Sequence, residues 1–314
     1  MQLVPPNANT EFPTNISGLR ASIDRSVQQV EAIGHSLPPS CLVLLSSLVI
    51  QIGMAMSKTL FDALGSSGAA FLCKGMAALL LLFIWRPRLQ DHRWQAYGVV
   101  GLFGLSIACM TLSIYAAIDR IPLGIASTLD FVGPLGVAIV GSRRSLDVLW
   151  VALATAGVFL LAPLQGTTLD PVGVGFALLS GLFWSGYILL SAPAGRAMPG
   201  GAGLALGITA AALIMAPFGI SQGGAALLNP LVLGVGLAAG LLTTVVPYSL
   251  EFAALRRMSP RVFGVLMSIE PAIAALVGLL FLRETLEVRS LIAIALVTVA
   301  AIGSTVFGKQ DSAH

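Results

Sequence analysis

Charge is what this sequence has least of. Only 10% of its 314 residues are Asp, Glu, Lys or Arg, where a soluble domain carries roughly a quarter. Hydrophobic residues make up 56% and the mean hydropathy is +0.92. Two soluble domains, which the length would allow, are thereby excluded. The net charge is +3, and the Arg residues stand between apolar stretches rather than in one patch, which argues against a nucleic-acid partner. Cysteine is nearly absent. Cys41, Cys73 and Cys109 form no CxxC and fall within or at the start of apolar stretches. They read as small buried apolar residues rather than a disulfide or metal framework.

Motifs for catalysis are missing as well. There is no GxxxxGK[ST] loop for ATP, no HExxH or other metal-ligand cluster, no GxGD aspartyl signature and no TVGYG filter. His35, His92 and His314 all lie outside the apolar stretches, so no intramembrane serine has a base beside it. No cofactor is implied. An enzyme and a selective channel both rank below a carrier.

What is present is apolar length. Ten runs occupy 40–58, 67–86, 95–115, 123–141, 147–164, 172–191, 202–220, 230–250, 261–282 and 289–307, each near the ~20 residues that cross a bilayer as a helix. Turn-formers and charges separate them: Ser66-Ser67, Arg86-Pro87-Arg88, Arg143-Arg144, Asp170-Pro171, Pro199-Gly200-Gly201, Asn229-Pro230 and Arg256-Arg257. Residues 1–38 form a polar tail, either disordered or holding a short amphipathic helix through Leu19, Ile23, Val27, Val30 and Ile33. With the amino terminus inside, cytoplasmic loops and tail hold ten Lys or Arg against four on the other side. Both termini are therefore expected in the cytoplasm.

The chain also repeats itself. Residues 252–278 lie over 115–141 at an offset of 137, with eight identities that include Arg120 with Arg257 and Pro134 with Pro271. The offset pairs the third and fourth runs with the eighth and ninth, so the unit is five helices. An odd-numbered unit enters the membrane the other way up in its second copy. Inverted repeats of that kind mark secondary transporters, whose substrate site lies near mid-bilayer between the halves.

Ionisable residues inside a bilayer are expensive and so are functional candidates. Lys74, Asp130 and Glu270 fall near run centres, Gln51 lies centrally in the first run, and Glu251 closes the eighth. One lysine against two carboxylates at similar depth leaves a negative charge to be met by a proton or a cationic group. An α-amino acid supplies an ammonium for the acids and a carboxylate for Lys74. The structural alternative is a Lys74–Asp130 ion pair that only fixes helix packing, and Glu270 is equally placed to serve a hinge at Pro271. Pro134, Pro247 and Pro271 each remove a helical hydrogen bond in mid-membrane, as a static kink or a hinge. Thr244 and Tyr248 stand beside Pro247. Trp184 and Tyr187 share a helix face and either wall a cavity or pack in the core. Phe131 and Tyr115 read as packing, and Trp85, Trp94 and Trp150 as interfacial anchors.

Two five-helix halves, a proline midway in the fourth and ninth runs, and Leu282-Arg283-Glu284-Thr285-Leu286 after the ninth resemble the EamA-type members of the drug/metabolite transporter superfamily. Within it, PLGIASTLDFVGPL (122–135), SRRSLDVLW (142–150), VPYSLEFAAL (246–255) and FGVLMSIEPAIAAL (263–276) are similar to the bacterial inner-membrane branch that exports threonine and homoserine. The resemblance covers about 40–307. It implies export of small neutral amino acids driven by the proton-motive force, and it touches Gln51, Tyr248, Glu251 and Glu270. Asp130 stands where that branch carries a glutamate, and Lys74 where many relatives carry arginine. An ammonium does not replace the planar fork of a guanidinium, so substrate preference is the property these departures touch.

The expectation is an all-α membrane protein with ten transmembrane helices as an inverted 5+5 repeat. Residues 1–38 are a cytoplasmic tail, 39–164 the first repeat, 165–307 the second and 308–314 a short cytoplasmic tail. The expected activity is proton antiport of a small amino-acid substrate out of the bacterial inner membrane, with the lipid bilayer as surroundings and a homodimer left open. The alternatives are export of other metabolites or drugs, or a non-transporting scaffold. A cavity bordered by Lys74, Asp130 and Gln51 separates carrier from scaffold.

Overall fold

A computed structural model describes residues 37–87, 94–134, 137, 145–161, 170–198, 201–255, 257–267, 269–282 and positions 288, 289, 292, 295, 296, 299 and 300. The chain divides into a unit Met1–Leu37 and a unit Pro38–His314. The expected amino-terminal tail, Arg143-Arg144, most of the tenth run and the carboxy-terminal tail lie outside the described residues.

The described regular structure is helical: α1 (Pro39–Lys58), α2 (Phe61–Trp85), α3 (Trp94–Ile118), α4 (Leu123–Asp130), α5 (Ser145–Leu161), α6 (Pro171–Ala197), α7 (Ala202–Gly223), α8 (Pro230–Gly240), α9 (Val246–Leu255), α10 (Pro260–Met267) and α11 (Glu270–Leu282). A short 3-10 turn, Gly224–Leu228, follows α7, and a π turn, Leu241–Val245, joins α8 to α9. Among the described residues six stretches are long and apolar enough to cross a membrane: α1, α2, α3, α6, α7 with its 3-10 turn, and α8 through α9.

Local chemistry explains the starts. Asp170 and Asn229 each accept a hydrogen bond from the N–H two residues on, at 2.9 Å, with Pro171 and Pro230 as the first helical residues. The side chain satisfies an orphan donor, and proline lacks the N–H that would otherwise be orphaned. One expected boundary moves. Ser66-Ser67 is a kink within α2, not a loop before it. Gly65 adopts φ 67°, open to glycine without a Cβ penalty, and the Ser67 N–H donates to Gln222 Oε1 at 2.8 Å. The chain reverses earlier, at Thr59 and Leu60.

The mid-run prolines decide where the other helices break. Pro134 has no N–H for the Asp130 carbonyl, and α4 ends at Asp130. Pro271 has none for the Met267 carbonyl, and α10 ends at Met267. Shifted by 137 positions, Leu123–Asp130 becomes Pro260–Met267, so the two short helices coincide to the residue. Packing follows the same relation. α2 lies on α7 and α4 on α11, and α1 packs on α9 as α3 packs on α6. The contact of α1 with α11 likewise has its mate in that of α4 with α6.

Leucines such as Leu79, Leu182, Leu189 and Leu213 are exposed on the outer surface, suited to lipid. The interior holds polar residues instead: Ser46, Ser47, Gln51, Lys74, Thr111, Asp130, Thr244, Glu251 and Glu270 are all buried. Among the cysteines only Cys73 is buried; Cys41 is exposed and Cys109 half-buried, so the expectation of three buried thiols holds for one.

Candidate functional site

Three close backbone approaches assemble the interior. A Cβ on Gly53 would come within 2.8 Å of Leu242 and Thr243, seating α1 against the π turn. One on Gly240 would lie 2.5 Å from the Cys73 carbonyl, seating α2 against the end of α8. Gly133 and Gly181 face each other so tightly that a Cβ on either would strike backbone, Gly181 against the carbonyl of Asp130. Small residues at helix crossings are how membrane helices come close. Here they carry Gln51, Lys74 and Asp130 to a common centre.

The π turn falls where Thr243 and Thr244 precede Pro247. Pro247 offers no donor to the Thr243 carbonyl, and a π turn absorbs such a gap in the ladder. The turn is then pinned by side chains. Thr243 Oγ1 donates to the Ala239 carbonyl at 2.8 Å, and Ser46 Oγ lies 3.4 Å from the Pro247 carbonyl.

One cavity of about 70 Å³ opens at this centre, well above the roughly 10–15 Å³ that one water requires. Gln51, Lys74, Thr111, Tyr115, Ser127, Asp130, Trp184, Thr243, Tyr248, Glu251 and Glu270 line it, with Ile50, Met54, Met110, Ile114 and Met267 as its apolar share. Lys74 Nζ donates to Thr244 Oγ1 at 3.0 Å and to Tyr248 OH at 3.4 Å, and stands 4.6 Å over the Tyr248 ring. Glu251 accepts from Ser46 Oγ at 2.7 Å and from Tyr187 OH at 3.1 Å, one on each carboxylate oxygen. Gln51 Nε2 donates to Glu270 Oε1 at 2.9 Å. Tyr187 stacks on Phe103 at 5.5 Å and tilts against Tyr248 at 5.2 Å.

Several buried polar atoms have no partner. Asp130 Oδ1, Glu270 Oε2, Gln51 Oε1 and Thr111 Oγ1 are all without one, and all four residues line the cavity. Buried polar groups are nearly always paired, so four orphans around one space describe a site that awaits a polar occupant. Among the described residues the sole salt bridge is Arg120–Asp170, at 3.3 Å between the α3–α4 turn and the start of α6. The Lys74–Asp130 ion pair, the structural alternative, is not formed.

Gln51, Lys74, Asp130, Trp184, Tyr248, Glu251 and Glu270 thus meet at one cavity. Tyr187 and Thr244 stand one step behind it, holding Glu251 and Lys74. Pro134, Pro247 and Pro271 follow helix or π-turn breaks and are not lining residues. Phe131 packs edge-on against Trp184 at 6.0 Å, as expected of a packing residue. Tyr115 does more than pack: it lines the cavity with its ring 5.8 Å from that of Phe61. Ser46, Thr111 and Ser127 were invisible in the sequence, since a lone hydroxyl in an apolar helix commonly bonds its own backbone.

Comparison with known proteins fits this architecture. The family model described as "EamA-like transporter family" matches residues 171–306. The "Threonine/homoserine exporter RhtA" of Escherichia coli (strain K12) is 40% identical over 277 residues, spanning 87% of this chain and 93% of that protein. The protein of the same description in Salmonella typhimurium (strain LT2) is 40% identical over 276 residues, with the same two coverages of 87% and 93%. A crystal structure of a protein with 18% identity superposes at TM-score 0.66 over 87% of this chain and 99% of its own, a likeness of fold alone. Membrane-length apolar helices, an interior cavity lined by ionisable residues and relatives of this identity and coverage make the chain a multi-pass membrane transporter rather than an enzyme, and it belongs to the EamA-like transporter family.

Proposed function

We propose that this protein exports small neutral amino acids, threonine- or homoserine-like, across the bacterial inner membrane in exchange for protons. The observation that carries the proposal is the cavity itself, where one ammonium and three carboxylates gather without forming a salt bridge among the described residues. If all four were charged, two negative charges would stay uncompensated in a desolvated site, which is costly. Protons on the acids relieve that excess; a zwitterionic substrate adds no net charge but meets Lys74 and Asp130 from both ends. Lys74 receives its carboxylate, and Asp130, with an unpartnered Oδ1, receives its ammonium. Glu270, held through one oxygen by Gln51 and open at the other, takes a proton when the substrate leaves. Glu251, bonded at both oxygens, holds the electrostatic frame between Ser46 and Tyr187.

The architecture in this reading is ten helices as an inverted 5+5 repeat, residues 39–164 and 165–307, with both termini cytoplasmic. The coincidence of α4 with α10 under the 137-residue shift and the mated helix contacts support it. Relatives described as threonine/homoserine exporters, at 40% identity, support the substrate class. The breaks before Pro134 and Pro271 and the π turn before Pro247 supply hinges at the depth of the cavity.

The test is transport in proteoliposomes with labelled threonine and homoserine, comparing wild type with Lys74→Ala and Asp130→Asn under an imposed pH gradient. Flux in wild type that collapses in both variants is expected. Unchanged flux in both would remove the site, and no flux in wild type would remove the substrate.

A further inference from the structure

We infer that Thr111 reads a hydroxyl on the substrate's side chain, so that the cavity takes hydroxy amino acids in preference to their apolar isosteres. The inference rests on the amino-acid reading of the same cavity. Its own basis is a comparison among threonines. The hydroxyls of Thr128, Thr155, Thr209 and Thr243 each donate to the carbonyl four residues back, at 2.6–2.8 Å. Thr59 donates to the Met56 carbonyl at 2.7 Å, and Thr244 accepts from Lys74 at 3.0 Å. Among the described threonines only Thr111 has a hydroxyl without a partner, although it lies in α3 with the Ile107 carbonyl four residues back. That bond within the helix is the usual refuge of a buried hydroxyl. Thr111 is 3% exposed and lines the cavity.

Matching donors with acceptors assigns the partner. Asp130 Oδ1, Glu270 Oε2 and Gln51 Oε1 are three acceptors lacking a donor, and an ammonium carries three N–H groups. Two of the three Lys74 N–H groups go to Thr244 and Tyr248, which leaves one for a carboxylate. Once the substrate's backbone groups are met in this way, Thr111 Oγ1 is the orphan left over. A hydroxyl both donates and accepts, so another hydroxyl fits it whichever way the proton points. Ile50, Met54, Met110 and Ile114 supply the apolar share of the same lining, which suits the hydrocarbon part of such a side chain.

The experiment is competition in proteoliposomes. Unlabelled threonine, valine, homoserine and norvaline compete with labelled threonine for wild type, Thr111→Val and Thr111→Ser. Valine and norvaline replace the hydroxyl of threonine and homoserine by a methyl group. In wild type the isosteres compete about tenfold or more weakly, as a lost buried hydrogen bond implies. Thr111→Val abolishes that preference and Thr111→Ser keeps it. Should Thr111→Val fail to fold, Thr111→Ala makes the same comparison. Valine competing as well as threonine in wild type, or a wild-type preference surviving in Thr111→Val or Thr111→Ala, overturns the inference. No amino-acid flux in wild type would instead overturn the parent reading, and the inference with it.

Discussion

Lys74 and Asp130 border one cavity from α2 and α4 and do not pair. Lys74 Nζ is held by Thr244 Oγ1 at 3.0 Å and Tyr248 OH at 3.4 Å, while Asp130 Oδ1 has no partner. A scaffold would gain from closing such a pair; a carrier must keep both ends open for its substrate.

Lys74→Met should therefore abolish transport while leaving a folded protein. Loss of the charged partner of the substrate's buried carboxylate predicts a fall of about 100-fold or more in flux. Lys74→Arg should not restore it, because Thr244 and Tyr248 seat a compact point charge rather than a planar fork. Flux measured in parallel with the size-exclusion profile separates activity from folding.

Glu270→Gln should uncouple transport rather than stop it. Exchange of labelled for unlabelled threonine without a pH gradient should persist, and acceleration by the gradient should vanish. A variant that keeps its acceleration by the gradient would clear Glu270 of the proton role and leave it to the hinge at Pro271.

Tyr187→Phe and Ser46→Ala each remove one of the two hydroxyls that hold Glu251. Each should lower stability by about 1 kcal/mol in detergent unfolding, and the double variant should lose more than the sum of its parts, because Glu251 is then buried without either donor. Additive losses would mean that Glu251 has another partner.

Gly181→Leu should be among the most destabilising single changes in the bundle. Its side chain would meet the Asp130 carbonyl and the Gly133 backbone, neither of which can rotate away, so a loss of about 1–3 kcal/mol is expected. Gly175 is the control on the same helix, since a Cβ there meets nothing within 4 Å.

Asp170 caps α6 just outside the membrane-length stretch, and its contribution to stability depends on pH. The Val172 N–H, and beyond it the Arg120 guanidinium, hold its carboxyl below the usual range. A lowered folded value means that its contribution to stability is full above the ordinary carboxylate range and is lost as pH falls through the lowered value. The difference in melting temperature between wild type and Asp170→Ala should be constant near neutrality and shrink below pH about 4. A difference that grows on acidification would contradict the assignment.

Much of this was legible in the sequence, for particular reasons. The first three runs and the sixth to eighth gave α1, α2, α3, α6, α7 and the α8–α9 stretch because length and hydropathy set what crosses a bilayer. Asp170-Pro171 and Asn229-Pro230 announced helix starts through their caps. Gln51, Lys74, Asp130 and Glu270 stood out because polarity is rare in such runs. Other features depend on three-dimensional proximity. The π turn at Leu241–Val245 and the kink at Gly65 depend on what packs across them, Gly53 and Gln222. Glu251 was a candidate from the sequence, but its hold by Ser46 and Tyr187 depends on two other helices. Thr111 is like any helical threonine in sequence, and only the packing leaves its hydroxyl without the usual carbonyl.

In the proposed reading, amino acid and proton exchange through this one cavity. The most direct test of that exchange is proton movement measured by a pH-sensitive dye inside proteoliposomes while threonine is added outside, with no gradient imposed. Threonine-dependent alkalinisation of the lumen in wild type, absent in both Asp130→Asn and Glu270→Gln, is the predicted result. Threonine uptake with no change in luminal pH would contradict the account.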